Sequence, residues 1–238
     1  MTTSETDLFN APELYLLAKA FDSEIILGLP EKRIFQLQGK SPFKQAYNRL
    51  IDKSLFTEQG KLTDDGFIVI KTLEQYCKSN RYVRINNAIF AFKGDAKDEL
   101  IILFEPSDEK EHYKLLVFSK NIVLKWLDES SPLFSRKPRN GEEGFLKRVL
   151  LHREKHELDD FEPGHALDIE VFESDKDPAK HFINRQQWLI FEKSDQLFAV
   201  DTENLKYYHA SQYWFIKMLF DEMELPYQEV DYVRTNID

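Results

Sequence analysis

The hydrophobic period of this chain changes near residue 81, and this change limits the possible folds more than any other feature of the sequence. Before it, apolar residues recur every three to four positions, as in amphipathic helices. The pattern predicts helices over residues 12–21, 42–54 and 63–77. Pro12 suits a first helical turn, and the Thr63 hydroxyl suits an N-cap that precedes Asp64 and Asp65.

After residue 81 polar and apolar side chains alternate, which is typical of β-strands. The alternation in residues 81–94 is centred on Asn86 and Asn87, and asparagine accepts the left-handed backbone angles of a tight hairpin. Two further strands are predicted within residues 98–106 and 112–120, with a polar turn between them. Four strands joined by short turns predict an antiparallel meander.

The second half repeats this order of elements. Helical spacing returns at residues 121–127 and is predicted again over 142–158. Strands follow at 166–173, 187–192 and 196–201, and the last helix covers 211–223. The fold class predicted is therefore α+β, a single domain over residues 1–238 in which two similarly built halves, about 1–135 and 136–238, share a central antiparallel sheet.

The charge of the chain is acidic and unevenly distributed. The net charge is −10, and residues 157–177 hold nine carboxylates against the single cation Lys176. An acidic surface repels nucleic acid and anionic membranes, so we expect neither as a partner. The acidic run fits either a solvated connection or a docking surface for a basic partner.

The N-terminal residues show no signal peptide, and the longest apolar runs, such as residues 100–104, are too short to cross a membrane. These features indicate a cytoplasmic protein without stable membrane insertion. The one cysteine, Cys77, excludes an internal disulfide. Because no basic residue flanks Cys77, a small buried hydrophobic residue is expected there in preference to a reactive thiol.

Signatures of enzymatic chemistry are missing from the sequence. His152 and His156 are spaced as metal ligands on a helix, but Arg153 and Lys155 stand where the zinc-peptidase patterns need glutamate, so a solvated helix face is expected. The chain has no GxSxG, Walker, GxGxxG or CxxC motif. We therefore expect no enzymatic activity, no cofactor, no bound metal and no catalytic residue.

Residues 46–76 allow a second interpretation, because helix, short link and helix resemble part of a winged-helix module. Such a module would indicate a transcriptional regulator. Asp64 and Asp65, however, begin the helix that would read DNA, where carboxylates repel phosphate. The densest basic cluster, residues 135–139, lies beside Glu142 and Glu143 and is expected to be solvated.

The last helix is apolar almost all round its axis, with Lys217 on its polar side. Such a helix either packs at the centre of the core or offers one apolar side to another chain. The aromatic residues between 207 and 220 are therefore candidates for both core and partner surface.

Two segments carry a resemblance to a known family. They are AYNRLIDKSLFTEQGKLTDD at residues 46–65, before the hairpin-rich sheet, and WLIFEKSDQLFAVDTENLKYYHASQYWFIKMLF at residues 188–220. Together with the order of elements they resemble the EspG-like secretion chaperones of bacterial type VII systems and their relatives in Gram-positive bacteria.

The resemblance implies a central antiparallel sheet flanked by helical bundles, and a non-enzymatic cytoplasmic chaperone that binds an α-helical secretion substrate before export. It implies no catalytic residue. Partner contacts would come from a loop between central strands and from the C-terminal helix. In this chain the loop residues would be Gly94, Asp95 and Lys97, and the helix residues Trp214, Phe215 and Met218. Besides the transcriptional regulator, an immunity-type module that binds a toxin stays open; the oligomeric state is not indicated.

Overall fold

The computed structural model describes residues 8–94, 98–139, 142, 144, 147–158, 161–174 and 182–226. Its first part is mainly helical: β1 (Phe9–Asn10), α1 (Ala11–Ala18), α2 (Lys32–Leu37), α3 (Ser41–Asp52) and α4 (Asp64–Cys77). The three predicted helices are confirmed as α1, α3 and α4. Capping interactions stabilise the N-termini of two of them. Asn10 and Glu13 form a capping box on α1, and at the start of α4 the Thr63 hydroxyl accepts a hydrogen bond from Gly66 N at 3.1 Å.

The predicted meander follows as β2 (Arg81–Ile85), β3 (Ala88–Phe92), β4 (Glu99–Phe104) and β5 (His112–Ser119). Asn86 lies in the tight turn between β2 and β3 with φ of 51°, as its residue type suggested. Two helices, α5 (Lys120–Ser130) and α6 (Pro132–Ser135), close the first half.

The second half holds β6 (Lys147–Val149), α7 (His152–His156), β7 (Ala166–Ser174), β8 (Phe182–Lys193), β9 (Gln196–Asp201), β10 (Lys206–Ala210) and α8 (Gln212–Met223). The long helix predicted over residues 142–158 is wrong, because residues 147–149 pair with the edge of β10 and, among the residues of this range that the structure describes, only 152–156 are helical. The sequence prediction also missed β10 and the first five residues of β8.

In the described part of the chain ten strands form one sheet in the order β1-β5-β4-β3-β2-β7-β8-β9-β10-β6. Every pairing is antiparallel, and β2 pairs with β7 where the two halves meet. The α+β fold class predicted from the sequence is confirmed.

The sheet separates two large cores. On one face α5, α6 and α8 pack over strands from both halves; on the other, α1, α3 and α4 cover the first half. Neighbouring residues of β2 belong to opposite cores: the side chain of Val83 is in the same core as α8, and that of Tyr82 is in the same core as α4. A smaller core around Phe191 and Phe198 includes Leu150 and Leu158, with Phe161 packed against it.

The acidic run of residues 157–177 is not one continuous connection. Its middle part forms β7, a central strand, in which Glu170 is buried and paired with Arg84. Glu173 pairs with Arg185 on the neighbouring strand. These cations neutralise part of the acidic run, so its sheet portion differs from the solvated connection that composition alone suggests.

Among the described residues, no helix combines the length and the apolar character needed to cross a membrane.

Candidate functional site

Helix α8 is held at its N-terminus by polar contacts from three segments of the chain. Ser211 caps the helix, since its hydroxyl accepts a hydrogen bond from Trp214 N at 3.1 Å. The carboxylate of Glu142 accepts one from Gln212 N at 2.8 Å. The Gln212 side chain donates to the carbonyl oxygen of Leu133 at 2.8 Å. These bonds fix both the position and the rotation of α8.

A buried ion pair supports the same end of α8. Arg136 and Glu142 pair with one another, and each side chain is only 3% exposed. Arg136 also donates to Glu192 at 3.1 Å and to the carbonyl oxygen of Asp195 at 2.7 Å. Burial by itself would raise the pKa of Glu142, but the hydrogen bonds from Arg136 and Gln212 N and the charge of Arg136 hold it below its usual range. Glu142 is therefore ionised at neutral pH.

The inward face of α8 belongs to the core. Phe215 is fully buried, with its ring stacked on that of Phe134 at 5.7 Å between centroids. Met218 lies beside it, also buried. Trp214 is half-buried and packs edge-to-face on Trp188 at 5.3 Å. The structure thus places the three predicted partner-binding residues of α8 against the protein's own interior, and their binding role stays a prediction.

The outward face of α8 borders an apolar groove, which we name the α5–α8 groove. It consists of two cavities of about 520 and 630 Å³, which share Ile216 and Phe220. One lies between α8 and Pro138, and the other lies between α8 and α5. Its lining side chains are mostly apolar in the middle: Leu124, Leu127, Phe134, Ile216, Leu219 and Phe220.

Charges of both signs border this groove. Lys125 and Asp128 lie along α5, and Lys217 and Asp221 along α8. An apolar floor with charged borders is suited to an amphipathic helix, whose apolar stripe covers the floor while its polar flanks meet the borders. The size and lining of the groove therefore fit a peptide segment or helix as occupant.

Sequence similarity to known proteins identifies the family of this chain. Residues 3–231 match the family described as "Domain of unknown function (DUF5081)". The chain belongs to the DUF5081 family. It is also 30% identical over 167 residues to the "Type VII secretion system protein EsaE" of Staphylococcus aureus strains USA300 and NCTC 8325. The similarity covers 69% of this chain and 70% of each relative.

In this DUF5081 chain the end of β3, which precedes the predicted loop, lies near the C-terminal end of α8. Arg81, at the start of β2, stacks on the Phe92 ring at 5.0 Å and pairs with Glu222 and Glu224 at the end of α8, at 2.5 and 3.1 Å. Gly94 follows Phe92 by two residues and is exposed. Asp95 and Lys97, the other predicted loop residues, lie outside the described residues.

The remaining reactive residues of the DUF5081 chain are placed as follows. His152 and His156 contact each other on the short helix α7, with ring centroids 4.6 Å apart and ring planes tilted by 41°. Within the described ranges, His, Cys, Asp and Glu side chains form no group of three arranged for a metal. Burial raises the pKa of the Cys77 thiol to about 12, which agrees with the expected unreactive residue.

Sequence reasoning missed the groove residues Leu124 and Ile216. Both belong to helices with apolar residues on more than one face, so the period could not show which apolar side faces outward. The missing information was the position of α5 beside α8. Leu124 and Ile216 line the same groove although they are 92 positions apart in the chain.

Proposed function

We propose that this chain serves a type VII secretion system as a non-enzymatic cytoplasmic chaperone or adaptor that binds an α-helical segment of a secretion substrate before export. The name of the staphylococcal relative supports the link to secretion. The apolar α5–α8 groove is the observation on which the binding role rests. EspG-like membership is part of the same proposal.

The groove favours a helical occupant for a physical reason. Its apolar floor is bounded by two helices, and a third helix can pack into such a groove with its side chains between theirs. Ile216 is central, because it lines both cavities. Covering the groove removes apolar surface from water, which is the main source of affinity at such sites.

Binding measurements with a matched pair of variants test this proposal. The full chain is co-expressed with each helical substrate encoded beside the type VII genes of its own genome, and complexes are measured by size-exclusion chromatography and calorimetry. A stable complex is expected for the wild-type chain. Ile216→Asp, which introduces a charge on the groove floor, is expected to weaken it by at least about tenfold.

The control is Ile68→Asp, an equally drastic change at a 62% exposed isoleucine of α4 on the opposite face of the sheet. It should bind as the wild-type chain does. Ile216 is preferred to Trp214 for the test because the Trp214 ring also supports the packing of Trp188. A folded Ile216→Asp protein with unchanged affinity would refute the site, and a wild-type chain that binds none of the substrates would refute the function.

A further inference from the structure

Three aromatic rings surround the ammonium group of Lys147, in an arrangement we name the lysine cage. Lys147 Nζ lies 4.7 Å from the ring centroids of Trp188 and Tyr208 and 4.9 Å from that of Trp214. The rings come from β8, β10 and α8, and Trp188 meets the other two edge-to-face. Aromatic rings at such distances attract a cation through their quadrupoles.

The strand that carries Lys147 is a minimal one. β6 has three residues, all exposed, and pairs antiparallel with β10 through Lys147↔Ala210, Arg148↔His209 and Val149↔Tyr208. It is the last strand of the sheet on this side. The chain is anchored on both sides of it, by Glu142 in its ion pair and by the buried Leu150.

These contacts define what the outer edge of β10 recognises: an extended backbone that continues the sheet, with a lysine side chain where Lys147 lies. β6 contributes little apolar burial, since Val149 is 53% exposed. Three residues of pairing are a small interface compared with the strands of the central sheet. A longer segment of another protein with the same pattern would make the same contacts and extend them.

We propose that the β10 edge and the lysine cage form a second docking site, which binds an extended basic segment of a partner protein by strand addition, with β6 as the resident segment that the partner displaces. The acidic net charge of −10 favours a basic segment. Sheet pairing would supply affinity, and the cage would select lysine. This site goes beyond the proposed function and does not depend on the α5–α8 groove.

A peptide that copies the resident strand tests the site directly. The probe is GFLKRVLLH, residues 144–152, and the receptor is the full chain carrying Lys147→Ala, in which the cage has lost its own cation. Binding is followed by the fluorescence of the cage tryptophans and by calorimetry. The peptide is expected to bind the variant, and a peptide with methionine in place of its lysine should bind about tenfold more weakly.

The matched control receptor is Lys206→Ala, which removes an exposed lysine from β10 and leaves the cage filled. It should bind the peptide no better than the wild-type chain. Equal affinity of the lysine and methionine peptides, or no binding to a folded Lys147→Ala protein, would overturn the proposal.

Hydrogen exchange on the wild-type chain tests displacement without any variant. If β6 opens without the rest of the protein, the Arg148 amide should exchange its hydrogen at least about a hundredfold faster than amides in the centre of β8. Equal protection of the two strands would show that β6 opens only when the whole protein unfolds, and this would also overturn the proposal.

Discussion

At the scale of single residues, buried glutamates at helix N-termini connect distant segments. Glu13 is buried at the start of α1, where it accepts a hydrogen bond from Asn10 N at 2.7 Å and pairs with Arg49 and Lys53 of the α3 region. Glu142 has the same role at α8, with Arg136 as its cation. In both places a carboxylate meets the positive end of a helix dipole and a basic side chain from elsewhere in the chain.

Removing one partner of the buried pair should therefore be costly. Glu142→Gln leaves Glu192 as the remaining carboxylate partner of Arg136 and removes the anion that accepts from Gln212 N, and we expect the free energy of unfolding to fall by about 2 kcal/mol. Asp195→Asn is the control, because Asp195 pairs with Arg139 at an exposed position and should contribute less than about 1 kcal/mol. Urea denaturation at pH 7 measures both, and equal effects of the two substitutions would contradict the prediction.

The difference between wild type and Glu142→Gln should also depend on pH. The pKa of Glu142 is lower in the folded protein than its ordinary value of 4.5, so its ionised form stabilises the fold. This contribution is complete above the unfolded-state pKa and is lost as the pH falls through the folded-state pKa. Urea midpoints measured from pH 7 down to pH 3 should converge for the two proteins, and a constant difference would rule this out.

At the scale of elements, Gly66 shows how packing overrides helix propensity in α4. Propensity alone favours alanine over glycine inside a helix by about 1 kcal/mol. A Cβ atom at Gly66, however, would lie 2.2 Å from the carbonyl oxygen of Leu55 and 2.7 Å from Leu62 Cδ1. The backbone of the connection between α3 and α4 crosses the helix at this point, so only glycine allows the close approach.

Gly66→Ala is accordingly expected to destabilise the protein, by about 2 kcal/mol or more, because backbone atoms must move to relieve the contact. Gly94→Ala serves as the control, since no atom lies within 4 Å of a Cβ at that glycine. Thermal unfolding followed by circular dichroism compares the two variants. A Gly66→Ala protein more stable than wild type would show that propensity dominates after all.

At the scale of the whole molecule, the two halves share one core. Val83, Phe90 and Val123 of the first half lie in the same cluster as Trp188, Phe215 and Leu219 of the second. The β2–β7 pairing joins the halves through five residue pairs in the middle of the sheet. Neither half can bury its share of this core alone, so we propose that the chain folds as one domain, and the single domain expected from the sequence stays a prediction.

The shared core predicts one cooperative unfolding transition. Tryptophan fluorescence, which reports Trp126 in the first half and Trp188 and Trp214 in the second, should change at the same urea concentration as the circular dichroism signal. A fragment of residues 1–135 is expected not to fold, since it would expose the sheet face that α8 covers. Two separate transitions, or a folded fragment, would indicate independent halves.

Local periodicity was sufficient to predict the types of the main elements, because the alternation of buried and exposed side chains depends on a few neighbouring residues. Helices α1, α3 and α4, the first meander and α8 follow from it. It failed at residues 147–149, whose strand exists only because β10 offers an edge. It also could not orient α8, since a helix apolar on nearly every side fits several rotations equally well.

The sequence by itself thus determined the α+β class through its period and its caps, and its lack of catalytic motifs led to the expectation, still a prediction, of no enzymatic activity. Only the tertiary structure decided that β2 meets β7, that Phe215 faces inward while Ile216 borders the groove, and that Lys147 lies among Trp188, Tyr208 and Trp214. The physical reason is that periodicity shows which side of an element is buried, whereas strand register and long-range packing determine what it is buried against.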